Sequence, residues 1–240
     1  MIKDNQKTID RLRGGLIVSC QALPDEPLHS SFIMSRMAYA AYLGGAVGIR
    51  ANTIADIAEI RKTVDLPIIG IIKKVYPDCP DVYITPTMTE IDLLTEAGVE
   101  IIALDATFRP HPGGVTVQEL FRQARSKYPD QLFMADCSSV EEGMTAAAIG
   151  FDLIGTTLAG YTTYTQGCAL PPFAMIDELV RHCGKPVIAE GNITTPEHFR
   201  QAMDLGVLTT VVGSAITRPM EITRRFVAAL KDKAPKGSTP

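Results

Sequence analysis

Eight short apolar runs recur along the chain: Leu16–Val18, Ala46–Ile49, Ile68–Ile72, Ile101–Leu104, Leu132–Ala135, Leu153–Ile154, Val187–Ala189 and Val211–Val212. Their starts lie 21 to 34 residues apart, enough for a helix and two short loops between each run and the next. The runs are rich in Val, Ile and Leu and lack polar alternation, as strands do when a parallel sheet is covered on both faces. Helix signals fill the intervals. Asn52-Thr53 opens IADIAEIRKTV, which Pro67 stops; Thr87-x-x-Glu90 and Ser138-x-x-Glu141 fit capping boxes; Gly98 and Gly150 suit the residue after a helix; Thr195-Pro196 sets a cap before a proline at the first helical position. An open doubly wound sheet requires a reversal of strand order, and nothing in this progression marks one. Eight near-regular units predict an α/β fold, a single (β/α)8 TIM barrel. One apolar piece, Val82–Ile84, breaks the count and reads as part of a long connection after the third strand, with a short strand as the alternative.

A chain of 240 residues with 46% hydrophobic and 21% charged residues matches one barrel in size and a globular protein in composition. The expected domain is 1–230, with the polar stretch 231–240 (KDKAPKGSTP) fraying. A net charge of −4 supplies no broad basic surface, so nucleic acid is not an expected partner. The first residues carry no apolar stretch behind their charges, so no signal peptide is expected, and the apolar runs fall far short of membrane-spanning length, so no membrane association is expected. The five cysteines, at 20, 79, 137, 168 and 183, form no CxxC and no zinc-ligand spacing with histidine, which predicts reduced thiols, a cytoplasmic setting and no metal site. There is neither GxGxxG nor a Walker A lysine, and no cofactor is expected.

A barrel enzyme works at the carboxyl ends of its strands. The residues there are Gln21, Arg50, Lys73, Asp105, Asp136, Thr156-Thr157, Glu190 and Ser214, whereas those preceding the runs are mostly Gly or Pro. Polar residues partly just mark where strands leave the core. A Lys, two Asp and a Glu at a barrel mouth are harder to dismiss, because charges there must be paired or used. Lys73 follows the most apolar run, IIGII. To act as a base near neutrality it must fall by about 3 units from about 10.4, and desolvation acts in that direction. Lys74 could add like-charge repulsion, and a carboxylate such as Glu190 would oppose. The alternative for Lys73 is a structural ion pair. Gly191-Asn192 and Gly213-Ser214 follow the last two strands, where barrels cradle phosphate on backbone N–H groups, and Arg218 could add a two-pronged contact. Otherwise Gly213 serves only close packing. His111 lies in the loop RPHPGG, placed to cover a ligand; His29, His182 and His198 look peripheral.

The motifs VSCQALP, GIRAN, IIGIIKK, ALDATFRP, MADCSS, IGTTLAGYTT, VIAEGNI and VVGSAITRP run from the first strand to Pro219. In them the chain resembles the N-acetylmannosamine-6-phosphate 2-epimerases of bacterial sialic-acid catabolism, barrels of the ribulose-phosphate-binding type. The resemblance implies reversible inversion at C2, giving N-acetylglucosamine 6-phosphate, without metal or redox cofactor. It implies Lys73 as acid/base with Glu190 as the other key group. Gln21, Arg50, Asp136, Thr157 and Tyr161 then contact the sugar, and Gly191, Asn192, Gly213, Ser214 and Arg218 hold the phosphate. It also implies a homodimer. Lys73 and Glu190 could work on opposite faces of C2, or Lys73 alone could move the proton while Glu190 holds the sugar or helps open the ring. Lys74, His111 and Asn192 depart from the basic residues frequent in relatives, which bears on phosphate affinity and loop closure. The competing readings are a Schiff-base aldolase or other phosphosugar isomerase on the same barrel, and a non-catalytic phosphosugar sensor.

Overall fold

The computed structural model describes residues 4–231, so the stretch expected to fray lies outside the described residues beyond Lys231. Eight parallel strands, β1 (Leu16–Cys20), β2 (Gly48–Asn52), β3 (Ile68–Ile71), β4 (Ile101–Asp105), β5 (Leu132–Asp136), β6 (Leu153–Gly155), β7 (Val187–Ala189) and β8 (Thr209–Val212), pair in sequence order, and β1 closes on β8. The barrel expected from the spacing is therefore present. The helices are α1 (Asn5–Leu12), α2 (Ser31–Leu43), α3 (Ile54–Arg61), α4 (Met88–Glu96), α5 (Val117–Lys127), α6 (Val140–Ile149), α7 (Phe173–His182), α8 (Pro196–Asp204), α9 (Ser214–Thr217) and α10 (Pro219–Lys231). Val82–Ile84 is not a strand: it belongs to the β3–α4 connection and forms one isolated antiparallel bridge, Ile84 to Lys73, while its Ile84 carbonyl also accepts the Asp105 N–H.

Side chains alternate along a strand, so each barrel strand divides its residues between interior and helix layer. The interior cluster takes Ile17, Ile69, Ile71, Ile101, Ala103, Leu132, Met134, Leu153, Ile188 and Val211. The layer against the helices takes Val18, Ile49, Ile68, Ile102, Leu104, Phe133, Ala135, Ile154, Val187, Ala189 and Val212. Stepping by two from the interior set reaches Gln21, Lys73, Asp105, Asp136, Thr157, Glu190 and Gly213. The same parity puts Arg50 inward, between outward Ile49 and Ala51. Thr156 falls on the outward parity, which separates the Thr156-Thr157 pair that the sequence left joined.

Helix α1 has no apolar run to announce it. Its Leu12 is fully buried in the interior cluster, with Ile9 packed against it. The Asp4 side chain caps it by accepting the Lys7 N–H, and the Gly14 N–H then donates to the Leu208 carbonyl. Thr87–Glu90 and Thr195-Pro196 cap α4 and α8 as expected, and Gly98 (φ +72°) and Gly150 (φ +105°) turn the chain beyond α4 and at the end of α6. The box expected at Ser138–Glu141 is displaced by one residue to Ser139–Glu142. The reason is burial: Glu142 is fully enclosed and also accepts the Ser138 N–H and hydroxyl and the Phe108 N–H, while Glu141 faces solvent. Thr116–Glu119 forms a further box on α5, exposed and outside the lining of the cavity described below. Thr116→Ala is expected to lower stability by about 1 kcal/mol, and Tm by roughly 2–4 °C, through loss of that cap, with turnover unchanged; urea and thermal unfolding check it.

Candidate active site

A cavity of about 590 Å³ opens at the carboxyl ends of the strands. Its wall includes Gln21, Lys73, Thr157, Tyr161, Glu190, Gly191, Asn192, Gly213, Ser214 and Arg218. Residues from five strand-end connections, those after β1, β3, β6, β7 and β8, are thus gathered at one mouth. Arg50 and Asp136 do not line it. They are fully buried and reach it through Glu190 and Thr157, which do.

Arg50 organises this layer. Its Nη2 lies 2.6 Å from Asp136 Oδ2, and its Nη1 lies 3.1 Å from Asp136 Oδ1 and 3.0 Å from Glu190 Oε2. The two-pronged pair with Asp136 uses the planar fork that only arginine offers. Thr157 Oγ1 bridges the same carboxylates, 2.6 Å from Asp136 Oδ1 and 3.2 Å from Glu190 Oε2, donating its one proton to either. Gly155 leaves room for this stack: a Cβ there would stand 2.3 Å from Met134 Cε, and the Met134 sulfur lies 4.0 Å from Arg50 Nη1. Burial works against the charge on Arg50, but Asp136 and Glu190 outweigh it, so its pKa is raised and it stays cationic. Burial raises the Glu190 pKa, and Asp136 adds to this; Arg50, Thr157 and Lys73 counter in part.

Lys73 sits just past β3. Its backbone N–H donates to Asn52 Oδ1 at 2.8 Å. Burial lowers its pKa from 10.5 to about 8, with Arg50 and Arg218 adding and Glu190 and Asp136 opposing. The opposing carboxylate was expected. Help from Lys74 was also expected and is absent: Lys74 Nζ lies 3.3 Å from Glu90 and 4.6 Å from the Tyr76 ring centroid.

At the other end, Gly191 (φ +112°) and Asn192 (φ +56°) turn through the left-handed region. Asparagine tolerates that backbone better than a long basic residue, which gives a physical reason for its presence here. A Cβ at Gly191 would lie 3.2 Å from the Thr156 carbonyl. Gly213 leads into α9, which spans only four residues. Arg218 is not free: its Nη2 lies 3.2 Å from Glu26 Oε2, which also accepts the Leu23 N–H at 2.7 Å. Ser214 Oγ accepts from Arg225 at 3.2 Å. Gln21 Nε2 donates to Ser19 Oγ at 2.8 Å, and its buried Oε1 has no partner, an acceptor that a ligand hydroxyl would satisfy.

Two strand-end features lie off the cavity wall. Asp105 Oδ2 pairs with Arg109 Nη2 at 2.8 Å and Asp105 Oδ1 accepts from Thr107, which ties down the β4–α5 connection. His111, expected to cover a ligand, is instead buried, with Nδ1 2.9 Å from the Pro86 carbonyl. Sequence reasoning missed Ser19, Glu26, Tyr83, Ile84 and Leu158. Ser19 had the inward parity as a signal, and Tyr83 and Ile84 had the piece that broke the strand count; nothing in the sequence marked Glu26. Among the described residues no cluster of His, Cys, Asp and Glu could hold a metal ion, and no helix is long and apolar enough to cross a membrane.

Fold and site together define a (β/α)8-barrel enzyme with an ionisable cluster at one end of its cavity and glycine loops at the other. Residues 34–232 match the family described as "Putative N-acetylmannosamine-6-phosphate epimerase". The chain belongs to this family of isomerases. A Staphylococcus aureus (strain bovine RF122 / ET3-1) protein named "Putative N-acetylmannosamine-6-phosphate 2-epimerase" is 57% identical over 220 residues, 91% of this chain and 98% of its own. A protein of the same name from Caldanaerobacter subterraneus subsp. tengcongensis is 53% identical, with 94% of each chain covered. The solved structure of the N-acetylmannosamine-6-phosphate 2-epimerase from Clostridium perfringens superposes with a TM-score of 0.88 at 52% identity, over 92% of this chain and 95% of that one. Thiamine phosphate pyrophosphorylase from Pyrococcus furiosus, at 17% identity and a TM-score of 0.58, shares the fold.

Removing Arg50 tests the ion cluster. Arg50→Met leaves two buried carboxylates without their cation, and breaking such a pair costs about 3–5 kcal/mol. The orphaned carboxylates then have folded-state pKa values above their unfolded ones. The deficit is therefore full at pH 8 and shrinks as pH falls through those raised values. Urea unfolding of variant and parent at pH 8 and pH 5 should show the larger gap at pH 8.

Proposed function

We propose that this chain interconverts N-acetylmannosamine 6-phosphate and N-acetylglucosamine 6-phosphate, with Lys73 moving the C2 proton. One observation carries the reading: a lysine on the cavity wall, beside Glu190, has its pKa drawn down to about 8 by burial and two arginines. Relatives more than half identical over nearly the whole chain bear the name of that activity.

In the ring-opened sugar, C2 lies next to the C1 aldehyde, so its proton is removable. Neutral Lys73 takes that proton, and the electron pair moves onto O1 as an enolate. The ammonium then returns a proton to the opposite face of C2 and the aldehyde re-forms, with Lys73 neutral again. A single lysine serves both faces if a substrate hydroxyl relays the proton or the enolate turns. Glu190 supports this scheme as holder of the sugar: its Oε2 is engaged by Arg50 and Thr157, while its Oε1 has no partner among the described residues. Gln21, Thr157 and Tyr161 contact the sugar. Arg50 and Asp136 act through Glu190 and through their field. Gly191, Asn192, Gly213 and Ser214 offer N–H groups to the phosphate, and Arg218 exchanges Glu26 for it. A positioned acid/base supplies about 10²–10⁴-fold, and the rest falls to stabilisation of the enolate by the cationic side chains. A homodimer and a cytoplasmic setting belong to the same reading. Helix α10 leaves Phe226, Val227 and Leu230 exposed, an apolar face that a second copy would cover; a light-scattering mass of one chain would remove the dimer. A lysine of lowered pKa also suits Schiff-base chemistry, which borohydride trapping with substrate distinguishes by leaving a covalent adduct.

In D2O, NMR is expected to show deuterium entering C2 of the product, and epimer formed without label would remove solvent-exchangeable acid/base chemistry. Since the working form is the neutral amine, kcat/KM should rise with pH up to about 8 and level off above it. A profile flat from pH 6 to 9 would take Lys73 out of that role. Lys73→Ala should keep the fold and lose at least about 10²-fold in kcat. Arg218→Ala should chiefly raise KM for the 6-phosphate.

A further inference from the structure

Glu142 is a fully buried carboxylate that the proton transfer and the phosphate seat leave unused. Asp136, Asp105 and Glu90, buried as deeply, each face an arginine or a lysine, whereas Glu142 forms no ion pair among the described residues. Hydrogen-bond donors hold its charge instead, in the first turn of α6, where the helix dipole favours it. Its Oε2 accepts the Ser138 N–H at 2.7 Å, the Ser138 hydroxyl at 2.8 Å and the Ser139 N–H at 3.1 Å. Its Oε1 accepts the Phe108 N–H at 3.0 Å and the Tyr164 hydroxyl. Of these the capping box accounts only for Ser139. Phe108 brings the β4–α5 connection and Tyr164 the β6–α7 connection onto the same carboxylate.

A chain of hydroxyls extends the contact. Ser138 gives its proton to Glu142, and Thr162 Oγ1 donates to Ser138 Oγ at 3.3 Å. With that proton committed, the 2.7 Å contact between Thr162 and Thr165 has Thr165 as donor, and Thr165 Oγ1 accepts the Gly160 N–H at 3.1 Å. Each hydroxyl gives one proton and takes one, so the carboxylate at the end sets the direction of the whole chain. Gly160, at φ +81°, turns the backbone directly before Tyr161, and the same connection carries Thr157 and Tyr161 on the cavity wall. Tyr164 is half-exposed, yet its hydroxyl is spent on the buried carboxylate; burial, and then Glu142, raise its pKa and keep it a donor. We propose that Glu142 is a positioning residue for the sugar: through Tyr164 and the hydroxyl chain it holds the β6–α7 connection so that Thr157 and Tyr161 stand on the cavity wall. This role rests on the epimerase reading, in which those two contact the sugar, and deepens it by naming what sets them in place. Glu142 itself lies off the cavity wall, so its part is in binding and not in proton transfer.

Tyr164→Phe tests the contact from a half-exposed position and keeps the ring. KM for N-acetylmannosamine 6-phosphate, read by deuterium entry at C2, should rise about tenfold, the scale of one hydrogen bond to a charged group, with kcat within about twofold of the parent. The pH midpoint of kcat/KM should stay near 8, because Lys73 is untouched. Amide hydrogen exchange read by mass spectrometry should quicken across 158–168 and keep parent rates in the barrel strands. Glu142→Gln should raise KM at least as far, and adding Tyr164→Phe to it should cost no further KM, since the two act through one contact. Should Glu142→Gln fail to fold, Tyr164→Phe decides alone. A merely structural role lowers Tm and leaves KM at the parent value; that result, a loss confined to kcat, or KM effects that simply multiply in the double variant each overturn the proposal. A parent protein that takes up no deuterium at C2 removes the epimerase reading instead, and the amide exchange of 158–168 in Tyr164→Phe then still judges the hold on the connection.

Discussion

The guanidinium of Arg50 lies between Asp136 and Glu190, and the mouth of the barrel is arranged around that contact. Two carboxylates from neighbouring parts of a closed sheet would repel each other if left alone in so dry a place. A cation between them makes both tolerable, at the expense of burying three charges. The fork of arginine binds both Asp136 oxygens and still reaches Glu190, which a lysine could not do. Arg50 then acts on the rest of the site by field alone. It is one of the charges that push the Lys73 amine toward its neutral form, while the carboxylates it restrains push the other way. The state of Lys73 is thus set first by burial and then by the balance of surrounding charges, of which Glu190 and Arg218 face the cavity.

A good deal of this was legible in the amino-acid sequence, and the reason is geometric. Strands buried on both faces must be apolar, so they stand out, and a barrel must expose its working groups where the strands end. Lys73, Glu190, Thr157 and Gln21 were found by that rule. Arg50 and Asp136 were found as well, but not their burial: a strand-end charge looks the same in sequence whether it meets ligand or another side chain. Helix α1 was invisible because it buries little more than Leu12, a single residue with no period to detect. The capping box on α6 slipped by one residue because the choice between Glu141 and Glu142 depends on which carboxylate the Phe108 and Ser138 N–H groups require, and those arrive from other loops.

Glycine has two distinct uses here. At Gly155 it vacates space under the ion cluster for Met134, so its role is volume. At Gly191 it permits a left-handed turn close to another backbone carbonyl, so its role is conformation. The two lie at adjacent strand ends, one under the ion cluster and the other in the loop after β7.

The link between Arg218 and Glu26 makes the cavity's far end a seat already taken. On the proposed function an incoming dianion would compete with a carboxylate already seated on Arg218, and that carboxylate is itself held to the first loop of the barrel, because Glu26 also accepts the Leu23 N–H. Arg218 after β8 and the loop after β1 are thus joined through one side chain, so a change in the partner of Arg218 is a change in what anchors that loop.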